Sequence, residues 1–177
     1  VTSPSVTQLQ DVIDNTNPLN FSSGNKDLNQ QYSHFLGLRW RYTKPAKGNS
    51  AFIFIGGGLD NDYITNSTIL VSKDTLLNND ILLPAGGQYT RPVNLNGNWN
   101  LRTFVNYGTP LLFMKSNMNF NAGFNYNRTP NLINDLLQYN NTYNANVGLF
   151  VGSNISQKID FRFGYQANYN IVKYSQN

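Results

Sequence analysis

The chain has 177 residues, 40% hydrophobic and 14% aromatic but only 12% charged, with 30 asparagines, no cysteine and a formal net charge of +4. That balance excludes a disordered chain, which is rich in charge and poor in aromatics, and the lack of cysteine excludes disulfide scaffolds, thiolate metal sites and a cysteine nucleophile. Residues 51–59, the longest uncharged apolar run, hold three glycines and fall far short of the ~18 residues of a membrane helix. A β-barrel stays open, because its strands alternate polar and apolar residues and look water-soluble on average. Lys and Arg exceed Asp and Glu only mildly and form no basic stripe, so nucleic acid is not an expected partner.

Residues 1–31 carry turn signals and little periodicity and read as a loop segment. From Tyr32 onward period two dominates, the mark of a strand with one apolar face. In the first strand Tyr32, His34, Leu36, Leu38, Trp40 and Tyr42 alternate with Ser33, Phe35, Gly37, Arg39, Arg41 and Thr43, and only His34 and Phe35 break the pattern. Residues 51–70 are the least regular. Their Phe52-Ile53-Phe54-Ile55 run and Gly56-Gly57-Gly58 triplet predict a bulged or tightly coiled strand.

Between Val93 and Tyr107 the face of Leu95, Trp99, Leu101 and Val105 opposes Asn94, Asn96, Asn98, Asn100, Arg102, Phe104 and Asn106. Next, Met118, Phe120, Ala122, Phe124 and Tyr126 oppose Asn117, Asn119, Asn121, Asn125 and Asn127. Two more runs follow. Tyr139, Tyr143, Ala145, Val147, Leu149 and Val151 face away from Asn140, Thr142, Asn144 and Asn146; Ile159, Phe161, Phe163, Tyr165, Ala167, Tyr169 and Ile171 face away from Asp160, Arg162, Gln166, Asn168 and Asn170.

Six strands result, each roughly 12 to 20 residues, against about five or six in a soluble strand. Connections at 44–50, 108–113 and 154–158 read as short and those at 71–89 and 128–138 as long, the rhythm of outer-membrane barrels with short periplasmic turns and long outer loops. Trp and Tyr favour membrane interfaces. Trp40, Tyr42, Tyr107 and Phe161 sit beside the short turns, and Tyr32, Tyr126, Tyr139 and Tyr169 lie toward the long loops, which predicts two aromatic girdles. The predicted fold class is all-β: an antiparallel meander of about six long strands over residues 32–175, part of a large transmembrane β-barrel.

The opposite face repeats Asn where a solvent-facing sheet normally carries Lys, Glu and Thr. Uncharged amides bond one another and water, which suits a hydrated lumen, although compositional bias accounts equally for the Asn count. Arg39, Arg41, Arg102 and Arg162 fall on this face with Asn119 and Asn144. They are candidates for lumen or anionic-ligand contacts, or for pairing with carboxylates elsewhere in a barrel wall. Catalysis has little support: the single histidine, His34, has no evident triad partner, Asp60-Asn61-Asp62 lacks the glycine and distal glutamate of a calcium loop, and the glycine triplet does not open a helix as a phosphate cradle does. Neither an enzyme nor a bound metal or cofactor is expected.

Resemblance sharpens this reading. Pro4-Ser5-Val6-Thr7-Gln8-Leu9-Gln10, Asn17-Pro18-Leu19, Gly24-Asn25-Lys26-Asp27-Leu28 and Tyr32-Ser33-His34 resemble the extracellular stretch entering a strand in TonB-dependent outer-membrane receptors, most closely the β-barrel family abundant in Bacteroidetes. That family's usual Gly-Asn-Pro-x-Leu-x-Pro-Glu is altered here by Lys26, Gln30 and Gln31. Asn127-Arg128-Thr129-Pro130 and the 93–107 strand also look like the family.

The resemblance implies part of the C-terminal half of a barrel of about 22 strands in the Gram-negative outer membrane, closed around a plug and driven through TonB to take up a small nutrient ligand. Plug and TonB-contacting segments are not among these residues, and about eight strands is the least that closes, so the chain reads as a piece of a longer protein whose partners include the bilayer and the remaining strands. A soluble secreted β-sandwich binding module, with the apolar faces as its core, is the other reading.

Overall fold

The computed structural model describes residues 1–77, 81–156 and 159–176. Six long strands form its main sheet: β3 (Tyr32–Lys44), β4 (Asn49–Asn61), β9 (Asn98–Leu111), β10 (Ser116–Ile133), β11 (Leu136–Ser156) and β12 (Ile159–Gln176). The remaining strands are β1 (Asp14–Asn17), β2 (Asn20–Ser22), β5 (Tyr63–Leu70), β6 (Thr75–Leu76), β7 (Leu82–Leu83) and β8 (Gln88–Leu95). Neighbouring long strands are antiparallel in the order β3-β4-β9-β10-β11-β12. Among the described residues β3 pairs only with β4 and β12 only with β11, so both edges of the sheet are open.

The purely antiparallel meander needs correction, because the sheet is mixed. β2 pairs β8 in parallel and the end of β10 pairs β5 in parallel at Leu132↔Ser67 and Ile133↔Thr68. The cause lies in the ribbon made by β4 and β5 against β8 and β9, which keeps one register from Ser50↔Gly108 to Leu70↔Gln88. Midway, Asp62 (φ 52°) and Gly97 (φ 96°) leave the extended region. Below them β4 borders β3 and β9 borders β10; above them β5 borders β10 and β8 borders β2. A ribbon whose edges exchange neighbours has turned over. Asn side chains close the junction, with the Asp62 N–H donating to Asn96 Oδ1 (2.9 Å) and Asn94 Nδ2 donating to the Asp62 carbonyl (2.7 Å).

Turn chemistry sets the connections. Between β3 and β4, Pro45–Lys47 makes one 3₁₀ turn ended by Gly48 at φ 67°, where a left-handed residue suits glycine. Leu112–Met114 and Lys115 (φ 47°) repeat the device between β9 and β10. The connection expected to be long at 128–138 is instead a tight hairpin: β10 runs to Ile133, Asn134 and Asp135 adopt φ 49° and 61°, and β11 starts at Leu136. Two successive left-handed residues are the type I′ hairpin requirement, and Asn and Asp tolerate it. The loop at 71–89 contains the small β6–β7 hairpin, and the connection at 154–158 lies partly outside the described residues.

Residues 1–31 dock on β8. Helix α1 (Val6–Leu9) begins with a capping box, Ser5 Oγ accepting from the Gln8 N–H and Gln8 Oε1 accepting from the Ser5 N–H, which satisfies two N-terminal donors. The Thr16 backbone N–H (3.0 Å), then its hydroxyl (2.8 Å), hold the Asp14 carboxyl below its ordinary value. Asn25 Nδ2 donates to the Pro92 carbonyl at 2.9 Å, the Gly24 N–H donates to the Gln10 carbonyl at 2.9 Å, and Phe21 and Leu28 are buried. The Gly24-to-Leu28 motif singled out in sequence thus anchors this segment.

Candidate functional site

Cross-strand register sorts the long strands into two faces, because directly paired residues share a side. One face is apolar across all six strands: Leu38, Ile55, Thr103, Phe124, Ala145 and Tyr169 form one row, and Trp40, Ile53, Val105, Ala122, Val147 and Ala167 the next. Among the described residues no protein layer covers it. Leu36 is 83% exposed and Tyr165 65%, while the buried hydrophobic residues among those described are Phe21, Leu28 and Leu83, all outside the long strands. The expected interface aromatics Trp40, Tyr42, Tyr107, Tyr126, Tyr139, Phe161 and Tyr169 all lie on this face.

The apolar face has a polar border at the β5–β8 end. Trp99 and Tyr126 rings lie 4.5 Å apart and Tyr126 and Tyr143 4.8 Å apart. One row beyond come His34, Arg128, Asn141 and Lys173 in register with Leu59 and Trp99. Arg128 stacks on Tyr139 at 3.8 Å, and the Tyr126 hydroxyl donates to Asn141 Oδ1 at 2.6 Å. At the other end Trp40 stacks on Tyr42, with ring centroids 6.1 Å apart. Trp40 shares its row with Val105, six residues along β9 from Trp99, so the two tryptophans are separated by roughly 20 Å along the strands. Tyr169 is level with Leu38 by register.

The opposite face holds Arg39, Arg41, Arg102, Arg162, Asn119 and Asn144 together. Its centre is a cross-strand amide ladder: Asn125, Asn144 and Asn170 stand in one row, with Asn170 Nδ2 donating to Asn144 Oδ1, and Asn146 and Asn168 stand in the next. Asn119 and Arg162 line a hollow of about 530 Å³ with Asp160 and Phe150. Arg162 therefore has a carboxylate neighbour in its own strand, whereas Arg39, Arg41 and Arg102 gather over β3, β4 and β9.

Sequence reasoning set Phe35 and Phe104 on this polar face without giving them a role, and gave Phe52 and Phe54 no face. Phe35, Phe52, Phe54 and Phe104 cluster beside the three arginines, and Phe52 and Phe104 rings are 6.2 Å apart. Glycines make room for them: a Cβ on Gly56 would lie 2.6 Å from Phe54 Cζ and 2.9 Å from Phe35 Cζ, and one on Gly164 would lie 2.6 Å from Phe150 Cδ1. Phenylalanine beside a same-face or cross-strand glycine was the available signal. Among the described residues no group of three His, Cys, Asp or Glu could hold a metal ion.

The chain matches no protein-family description, no curated protein and no solved structure.

Proposed function

We propose that this chain is part of the wall of a TonB-dependent-receptor-like outer-membrane β-barrel, and that the whole protein binds and imports a nutrient without catalysing a reaction on it. The carrying observation is the apolar sheet face with no protein layer on it. Six strands of aliphatic and aromatic side chains facing water are unfavourable at about 25 cal/mol per Å², and such a patch marks contact with lipid or another chain. Lipid fits better. Over residues 118–126 and 143–151 every position on the apolar face is apolar for nine residues, the length of a tilted spanning strand, and aromatics bound the face at both ends. Open edges on β3 and β12 fit closure by further strands.

A soluble sandwich requires a second sheet over the same face. The chain's other sheet is the two-residue hairpin β6–β7, far too small for that. The resemblance to Bacteroidetes-type receptors supplies the transport element, with the bilayer, the remaining strands, a plug and the TonB system as partners.

The two tryptophans test the wall. The full-length protein with every tryptophan but Trp40, or every tryptophan but Trp99, replaced by phenylalanine, in vesicles with lipids brominated at graded acyl positions, should be quenched most by the shallowest bromines. Quenching by aqueous iodide alone would remove the membrane reading. Transport is tested separately, since deleting the whole gene should abolish TonB-dependent growth on one scarce nutrient.

A further inference from the structure

The arginine and phenylalanine patch on the polar face has a specific composition. Arg39, Phe54 and Phe104 form one row, Gly37, Gly56 and Arg102 the next, and Arg41 pairs with Phe52. Among the described residues, the cross-strand partners and same-face neighbours of Arg39, Arg41 and Arg102 include no carboxylate: they are Phe, Gly, Ser, Thr, Asn or another Arg. Asp60, the acidic residue of this face on β4, stands four residues along that strand from Gly56, the partner of Arg102. All three arginines are exposed.

By register the backbones of Arg39 and Arg41 stand about 12 Å and about 17 Å from that of Arg102, within reach of long side chains, and three unpaired guanidiniums so placed gain from an anion. Arginine offers paired donors that match the oxygens of a carboxylate, sulfonate or phosphate. The aromatic part adds a second requirement. Arg39 lies 5.7 Å over the Phe54 ring, an arrangement that holds its planar group in place. Phe104 is 39% exposed and presents a ring beside Arg102. The Phe35 and Phe54 rings lie over Gly37 and Gly56, so the floor between these groups is aromatic. A flat ring can stack there while its anionic substituent reaches Arg102 or Arg39.

We infer that this patch is a binding site for a small aromatic anion, a planar ring carrying a carboxylate, sulfonate or phosphate, on the inward wall of the barrel. This rests on the reading that the polar face lines a water-filled lumen. Arg102 and Arg39 take the anionic group, Phe54 and Phe104 take the ring, and Arg41 raises the local positive potential.

The test uses the full-length protein in lipid nanodiscs and 2-naphthoate as the probe, followed by calorimetry against empty nanodiscs. Saturable binding is expected, weakened at least fivefold by Arg102→Gln and by Arg39→Gln, less by Arg102→Lys, and at least fivefold for 2-naphthylmethylammonium in place of naphthoate. Phe54→Leu should weaken naphthoate more than cyclohexanecarboxylate. No saturable binding, or binding indifferent to both Arg→Gln variants or to probe charge, overturns the inference. A parallel labelling separates this from failure of the lumen reading: Asn146→Cys should react with a membrane-impermeant maleimide and Val147→Cys should not. That pattern without naphthoate binding sinks the site alone; the reverse pattern sinks the wall itself.

Discussion

Gly24 shows how one missing side chain holds the N-terminal segment. A Cβ there would lie 2.4 Å from the Gln10 carbonyl oxygen and 2.7 Å from its nitrogen, both backbone atoms, so nothing flexible can yield. Gly24→Ala should cost about 1–3 kcal/mol, the usual penalty for overpacking. Because the clash is confined to the contact that docks residues 1–31 on β8, the loss should be local. Proteolysis near Lys26 should rise while the long strands stay protected; unchanged cleavage would mean that this contact does not anchor the segment. Glycines on the polar face behave differently. The nearest atoms to a Cβ on Gly56 or Gly164 are phenylalanine ring atoms, which can rotate away, so substitution displaces the Phe35 and Phe54 rings at Gly56, or the Phe150 ring at Gly164, before it disturbs the sheet.

At the scale of elements, two left-handed asparagine or aspartate sites do most to shape the chain. Asn134 sits at φ 49°, its N–H donates to the Thr68 carbonyl at 2.9 Å, and its Oδ1 accepts from the Leu70 N–H at 2.7 Å, tying the β10–β11 hairpin to β5. Asn134→Val puts a β-branched residue at positive φ, about 1–2 kcal/mol, and removes a side-chain hydrogen bond worth about 1 kcal/mol. Denaturant unfolding of the full protein should show a loss of about 2–3 kcal/mol. Asn134→Gly should lose only about 1 kcal/mol, since glycine keeps the conformation; equal losses would mean that φ is not the constraint.

Five of the six long strands and their two faces were legible from period two, which strand geometry enforces directly; the strand within 51–70 had its period obscured, and the breaks that divide 51–70 at Asp62 and 93–107 at Gly97 were not foreseen. The 128–138 hairpin was not, because Asn134 and Asp135 make a turn only through φ values that their polar context hides in so Asn-rich a chain. The overturned ribbon was equally hidden. Its cause, Asp62 opposite Asn96 and Gly97, breaks no periodicity: the register is the same above and below the junction. On the polar face the arginines and asparagines could be read one strand at a time, whereas the Phe54, Phe104 and Arg102 grouping exists only across strands.

Among the described residues the six-stranded sheet has no hydrophobic core packed on its apolar face. Its long strands carry an aliphatic and aromatic face on one side and an amide, arginine and phenylalanine face on the other, and the buried large hydrophobic residues Phe21, Leu28 and Leu83 lie outside them, Pro130 near the end of β10 being the fully buried apolar side chain within them. Such a sheet is stable where lipid replaces the missing layer and where each backbone group is paired, as barrel closure requires. Nitroxide labels placed singly at positions 143 to 151 of β11, in the full protein in liposomes, test this most directly. Labels at 143, 145, 147, 149 and 151 should collide with oxygen, which concentrates in lipid, and labels at 144, 146, 148 and 150 with a water-soluble nickel chelate, the two profiles alternating out of phase. If the odd-numbered labels are shielded from both reagents, that face is buried protein core and the membrane wall is contradicted.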